Sequence, residues 1–77
     1  MVPEIHRIEG VVLSMYARDH PPGHIHADSA EHQAVISLET CDLEQGFLPY
    51  GKRKKVCRWI AEHREELNER WRSLTGR

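Results

Sequence analysis

No apolar run in this 77-residue sequence exceeds three residues, as in Val11-Val12-Leu13, against the roughly 20 that a membrane-spanning helix needs. The opening stretch MVPEIHRIEG has no apolar segment of the signal-peptide kind. Cysteine is scarce: Cys41 and Cys57 make neither a disulfide framework nor a C-x-x-C metal knuckle. These absences lead to the expectation of a cytoplasmic protein with reduced thiols and no membrane association. Net charge is only −1, which gives no signature of a globally polyanion-binding protein. Repeats, low-complexity tracts and internal linkers are also missing, so residues 1–77 are expected to form a single small domain. A domain of this size buries only about 60% of its unfolded surface. A homodimer or a permanent partner would help such a core.

What is present begins with alternation. Residues 5–16, IHRIEGVVLSMY, read as a strand with Val11, Leu13 and Met15 on one face and Ile8, Val12 and Tyr16 on the other. Gly10 inside that run signals a bulge or a close backbone approach. Pro21-Pro22-Gly23 marks a loop that can continue neither a ladder nor a helix. Residues 24–28 and 31–39 read as a second and third strand, joined by a turn at Asp28-Ser29-Ala30. The third carries His32, Ala34, Ile36 and Leu38 on its apolar face. The stretch TCDLEQGFLP then reads as a turn containing Gly46, with room for two or three extended residues before Pro49.

From about residue 51 to 74 the period changes to that of a helix. Val56, Ile60, His63, Leu67, Trp71 and Leu74 recur at intervals of 4, 3, 4, 4 and 3, and Trp59 widens the stripe beside Ile60. The expected fold class is α+β: a small antiparallel sheet of three strands, or four if the residues near Gly46 extend, followed by one long C-terminal helix packed on one face.

Two features of that helix depart from a design for stability alone. Lys52, Arg53, Lys54, Lys55 and Arg58 crowd its start, where the helix dipole makes cations unfavourable by about 0.3–1 kcal/mol each at most. Such a cluster is either a solvated face or a surface for phosphate or an acidic partner. His63 stands in the apolar stripe, either as a half-buried histidine with one hydrogen bond or as a member of a site facing the sheet.

The densest chemistry lies in RDHPPGHIHA, residues 18–27, which holds three of the six histidines. His24 and His26 share a face if the segment is extended, with Cα atoms about 6.5–7 Å apart. That spacing suits a general acid and a general base acting on one bond. It also suits two imidazole ligands of zinc or another transition metal, for which His20, Asp28, His32 or His63 would have to supply the remaining ligands. It equally suits a stiff, polar partner-binding turn. Asp19 is placed to orient His20 or another imidazole. No cofactor is required by the acid–base reading.

Taken in order, MVPEIHRIEGVVLSMYARDHPPGHIHA, QAVISLET, GFLP and WIAEHREEL resemble the small bacterial domain-of-unknown-function family 4160 over nearly the whole chain. The shared pieces are an opening P-E-I, a strand with a small residue before a hydrophobic run, a D-H-x-P-P-H-x-H loop, an A-V-I-like strand, a G-x-L-P turn and a C-terminal W-x-x-x-H-R-E-E-L-like helix. The resemblance carries over Asp19, His20, Pro21 or Pro22, His24 and His26 from the loop, and His63 with Arg64 from the helix. It implies a toxin–antitoxin component with a cognate small antitoxin-like protein encoded nearby; RNA is the target expected if His24 and His26 act as acid and base with Lys52, Arg53, Lys54 and Lys55 holding phosphate. It supplies no established reaction. Two departures stand out: Gly23 precedes His24 where the family has proline, which is expected to loosen the turn, and Ser29-Ala30 replaces an aromatic–glycine pair.

Overall fold

The computed structural model describes residues 4–16 and 21–75. Asp19 and His20 lie outside them. Five strands form one antiparallel sheet in the order β1 (Glu4–Ile8), β2 (Val11–Ser14), β3 (His24–Asp28), β4 (Gln33–Ser37) and β5 (Leu43–Gly46). Two helices follow, α1 (Tyr50–Glu62) and α2 (Arg64–Thr75). The α+β class and the strands-then-helix order are as expected. The element count is not, and each difference has a local cause.

The single strand expected over 5–16 is a hairpin. Glu9 and Gly10 both adopt positive φ, 47° and 83°, the backbone sign of a two-residue turn whose twist matches the flanking strands. Gly10 is thus a turn residue and not a bulge. The pairing Ile8↔Val11 closes directly around it. Beyond the turn the expected alternation holds: Val11, Leu13 and Met15 are buried, while Val12 is half-buried and Tyr16 exposed.

Strand β3 has the expected limits. The β3–β4 connection spans residues 29–32, with Asp28 still paired to Gln33. Ser29 organises it: its N–H donates to the His32 carbonyl at 2.8 Å and its Oγ accepts from the His32 N–H at 3.2 Å. The optional strand near Gly46 is present as β5, and the hairpin split of the first strand brings the total to five. Extended residues precede Gly46 instead of following it, because a tight turn after β4 delivers the chain back early. In that turn Ser37 Oγ accepts the Glu39 and Thr40 N–H groups, both at 3.2 Å.

The long helix expected over 51–74 is interrupted at His63, whose backbone lies at φ −121°, ψ 22°. Its N–H is shared between the Trp59 and Ile60 carbonyls, and its ring Nδ1 lies 2.9 Å from the same Trp59 oxygen. A side chain that bonds the preceding turn competes with the helical ladder. The break is brief, since the Leu67 N–H returns to the His63 carbonyl at 2.9 Å. Glu65 and Glu66 then occupy the first turn of α2, where the dipole favours them. At the start of α1 the opposite holds: Pro49 offers no side-chain cap and the first turn has no acid.

Both helices lie against one face of the sheet. Leu13, Ile25, Ala27, Ala34 and Ile36 from the strands join Leu48, Val56, Ile60 and Leu67 in one buried cluster. Alternation therefore sends His26, Asp28, Gln33 and Val35 to the opposite face.

Two ties fasten the layers. Lys55 pairs with Glu9 at the β1–β2 turn. Cys57 of α1 meets Cys41, which follows β4: Cys57 Sγ donates to the Cys41 carbonyl at 3.3 Å. Burial and the neighbouring Cys41 thiol push the Cys57 thiol up from 9.0 to about 11, against the opposing pull of Arg53. A folded-state value above the unfolded one contributes stability below pH 9 that is lost as pH climbs toward 11. The melting temperature of the reduced wild type is therefore expected to fall across that window, and the fall to be smaller in Cys57→Ser. Calorimetry at stepped pH reads it; equal slopes for the two proteins would remove Cys57 as the cause.

Candidate functional site

Strand β3 presents His24 and His26 on one side, as its alternation requires, with ring centroids 5.3 Å apart at 66°. Neighbouring strands supply the rest of this surface by register. His26 faces Ser14 on β2 and Val35 on β4, and Val35 in turn faces Gln45 on β5. Aromatic rings bracket the histidines. Tyr16 meets His26 edge-on at 4.7 Å, and Trp71 of α2 meets His24 at 5.0 Å. The sequence Trp71–His24–His26–Tyr16 is a continuous row of rings across the end of β3.

The two histidines are not equivalent. His24 is buried, at 4% exposure. Its Nδ1 lies 2.9 Å from the Pro22 carbonyl. That oxygen can only accept, so the His24 ring donates to it through Nδ1. His26 is half-buried and lines a groove of about 490 Å³ with Tyr16, Asp28, Gln33, Val35 and Gln45. Tyr16, 41% exposed, forms one wall. His26 is thus the more accessible imidazole of the pair, and the buried His24 is held by its carbonyl partner.

Gly23 is not a loose point in the loop. Its N-terminal flank leads into a close contact: a Cβ there would lie 3.3 Å from Leu38 Cδ1 and 3.7 Å from the Trp71 ring. Its carbonyl accepts the Leu38 N–H at 3.1 Å. A Cβ at 23 would thus be in ordinary contact with Trp71 and tight only against the Leu38 side chain.

The remaining expected residues are dispersed. His63 does not join the β3 pair. It stacks on Trp59 at 4.6 Å, and Trp59 stacks on His6 of β1 at 4.5 Å and 6°. His63 lines a separate groove of about 590 Å³ with Ile5, Trp59, Glu66, Glu69 and Arg70. His32 packs against Phe47 at 5.2 Å. Lys52, Arg53, Lys54, Lys55 and Arg58 follow α1, whose buried side faces the opposite surface of the sheet, and none of them lines the His26 groove. Lys54, Lys55 and Arg58 are exposed; Lys52 and Arg53 are half-buried. Among the described residues no group of three His, Cys, Asp or Glu side chains is arranged to hold a metal ion. No helix among them is long and apolar enough to cross a membrane.

Sequence patterning missed Tyr16, Trp71 and Gln45 as parts of this surface. Tyr16 carried the right signal, lying at even spacing from Val12 on the side away from the core. Gln45 depended on the fifth strand, and Trp71 on how α2 crosses the end of the sheet.

This surface, with its D-H-P-P-G-H-I-H approach, lies inside the region matched by the model of one family, a domain of unknown function (DUF4160), over residues 10–72. The chain belongs to that family. The DUF4160 match takes in β2 to β5, α1 and most of α2, so it spans both the histidine row and the helices that back it. No curated protein and no solved structure matches the chain.

Proposed function

We propose that this DUF4160 protein is a toxin-like component of a bacterial toxin–antitoxin-type module, acting in the cytoplasm on single-stranded RNA through the His26 groove. The observation that carries the reading is the histidine pair itself: a carbonyl-anchored, buried His24 edge-on to a His26 that opens into a groove walled by an exposed tyrosine. Unstacked bases bind by stacking on aromatic side chains, and Tyr16 offers such a ring beside the imidazole. His26 accepts the proton of a ribose 2′-hydroxyl as O2′ attacks the adjacent phosphorus. His26 then returns that proton to the departing 5′-oxygen, leaving a 2′,3′-cyclic phosphate and a 5′-hydroxyl end, and His24 holds the orientation of His26 throughout. The basic cluster on α1 acts separately, as the surface for phosphate or for an acidic stretch of the cognate antitoxin-like protein.

A second reading draws on a specific observation: among the described residues the groove lining has no lysine or arginine and does contain Asp28. That lining suits a partner protein's polar segment as a non-enzymatic, regulatory contact. Labelled single-stranded RNA separates the two. Under the RNA reading, purified protein binds and cleaves it, and Tyr16→Ala weakens binding by roughly tenfold or more, the loss of one base stack. RNA that is neither bound nor cleaved under any salt condition, with retained capture of the neighbouring gene product, would leave the interaction module standing.

A further inference from the structure

Cys41 and Cys57 are 16 residues apart in sequence and side by side in the fold. Each thiol is directed at the other residue's backbone: Cys57 Sγ donates to the Cys41 carbonyl at 3.3 Å, and Cys41 Sγ to the Cys57 carbonyl at 3.7 Å. Both are free thiols and neither is fully enclosed. Cys41 stands in the β4–β5 turn at φ 64°, held by its N–H to the Ser37 carbonyl at 2.9 Å. Cys57 stands in the middle of α1.

Arginine completes the cluster. Arg64, the first residue of α2, donates Nε to the Leu38 carbonyl at 2.9 Å and reaches Cys41 Sγ with Nη2 at 3.6 Å. A guanidinium against a sulfur is the setting in which a thiolate serves as nucleophile. Arg53 approaches Cys57 from within α1.

We propose that Cys41 and Cys57 form a reversible thiol–disulfide switch, closed by exchange with a low-molecular-weight disulfide of the glutathione type, that staples the β4–β5 turn to α1. Cys41 thiolate attacks one sulfur of the small disulfide, making a mixed disulfide and releasing one small thiolate, which takes up a proton. Cys57 gives up its proton and attacks the Cys41 sulfur, expelling the second small thiolate. Two protein thiols are oxidised and one small disulfide is reduced to two thiols. The order follows from the cluster: Arg64 reaches the Cys41 sulfur, whereas Cys57, despite Arg53, is held protonated by burial and in part by charge on Cys41. That part vanishes once Cys41 carries the mixed disulfide, which readies Cys57 for the second step. In a reducing cytoplasm the pair stays open, and it closes when the thiol pool is oxidised.

The test exposes the purified full-length chain to glutathione buffers of rising oxidised fraction, blocks remaining thiols, and weighs the protein without reduction. The wild type is expected to lose the mass of two hydrogens as a monomer, to gain about 10 °C or more in melting temperature, and to lose both changes with dithiothreitol. Cys57→Ser is expected to retain glutathione on Cys41, and Cys41→Ser to take it up on Cys57 about tenfold more slowly, given the thiolate dependence of exchange. A wild type that forms only intermolecular disulfides, or oxidises with no rise in melting temperature, overturns the proposal without reference to either variant. Equal uptake at the two single cysteines overturns the order of attack.

Discussion

Gly46→Ala is expected to be the most damaging single-methyl change in the protein. Gly46 has φ 77°, and a Cβ built on it would stand 1.9 Å from the Gln33 carbonyl oxygen and 3.0 Å from the Ala34 Cα. Those are backbone atoms of the neighbouring strand, in the register Ala34↔Gly46, so no side chain can swing aside. The same Gln33 oxygen accepts the Phe47 N–H at 2.9 Å, the bond that carries the chain out of β5 toward α1. A positive φ alone costs a non-glycine residue about 1–2 kcal/mol. Displacing the strand adds enough to bring the loss to roughly 3–4 kcal/mol. For a small domain this is a fall of about 15–25 °C in melting temperature. Gly10→Ala provides the control. Its φ is 83°, but a Cβ there meets nothing within 4 Å, so only the torsional cost applies. Thermal denaturation followed by circular dichroism distinguishes the two. Equal losses would mean that β5 does not pack on β4 as closely as described.

The second large effect concerns turnover. On the proposed RNA reading, His26→Gln keeps the shape of the groove but removes the group that would transfer the proton, and cleavage of single-stranded RNA is expected to fall by about 10²–10⁴-fold. His24→Gln removes an imidazole that acts through another. The expected loss is about tenfold, with substrate binding unchanged and the pH profile of the residual activity altered, because the orientation of His26 against Tyr16 is relaxed. Rates measured for both variants at saturating RNA decide this. A His24 variant as inactive as the His26 variant would return the two residues to equal roles as acid and base.

The histidine face was legible in the sequence because strand periodicity is binary: once residues 24–28 are extended, His24 and His26 must share a side and Ile25 and Ala27 the other. The helical stripe was legible for the same kind of reason. Less visible were features that carry no period. Glu9 occupies a left-handed turn position without the asparagine or glycine that usually announces one, so two strands read as one. Strand β5, Leu-Glu-Gln-Gly, is an edge strand with no fully buried residue and no alternation to detect. The break at His63 leaves the apolar spacing intact and is visible only in its shared N–H and its ring bond to Trp59. The asymmetry between His24 and His26 depends on Pro22 and on Trp71 from the far end of the chain. The meeting of Cys41 and Cys57 depends on where α1 crosses the sheet, which no local pattern encodes.

The proposed role of the His26 groove as the working surface of a toxin-like protein is put to the test by induced expression in bacteria with growth as the readout. Wild type, His26→Gln and the His24→Gln/His26→Gln double variant are compared at matched soluble levels, with and without the neighbouring gene product. Wild type is expected to arrest growth, both variants to be harmless, and the neighbouring product to rescue wild type. Unimpaired growth with wild type under every condition, or arrest by the double variant as strong as by wild type, would contradict it.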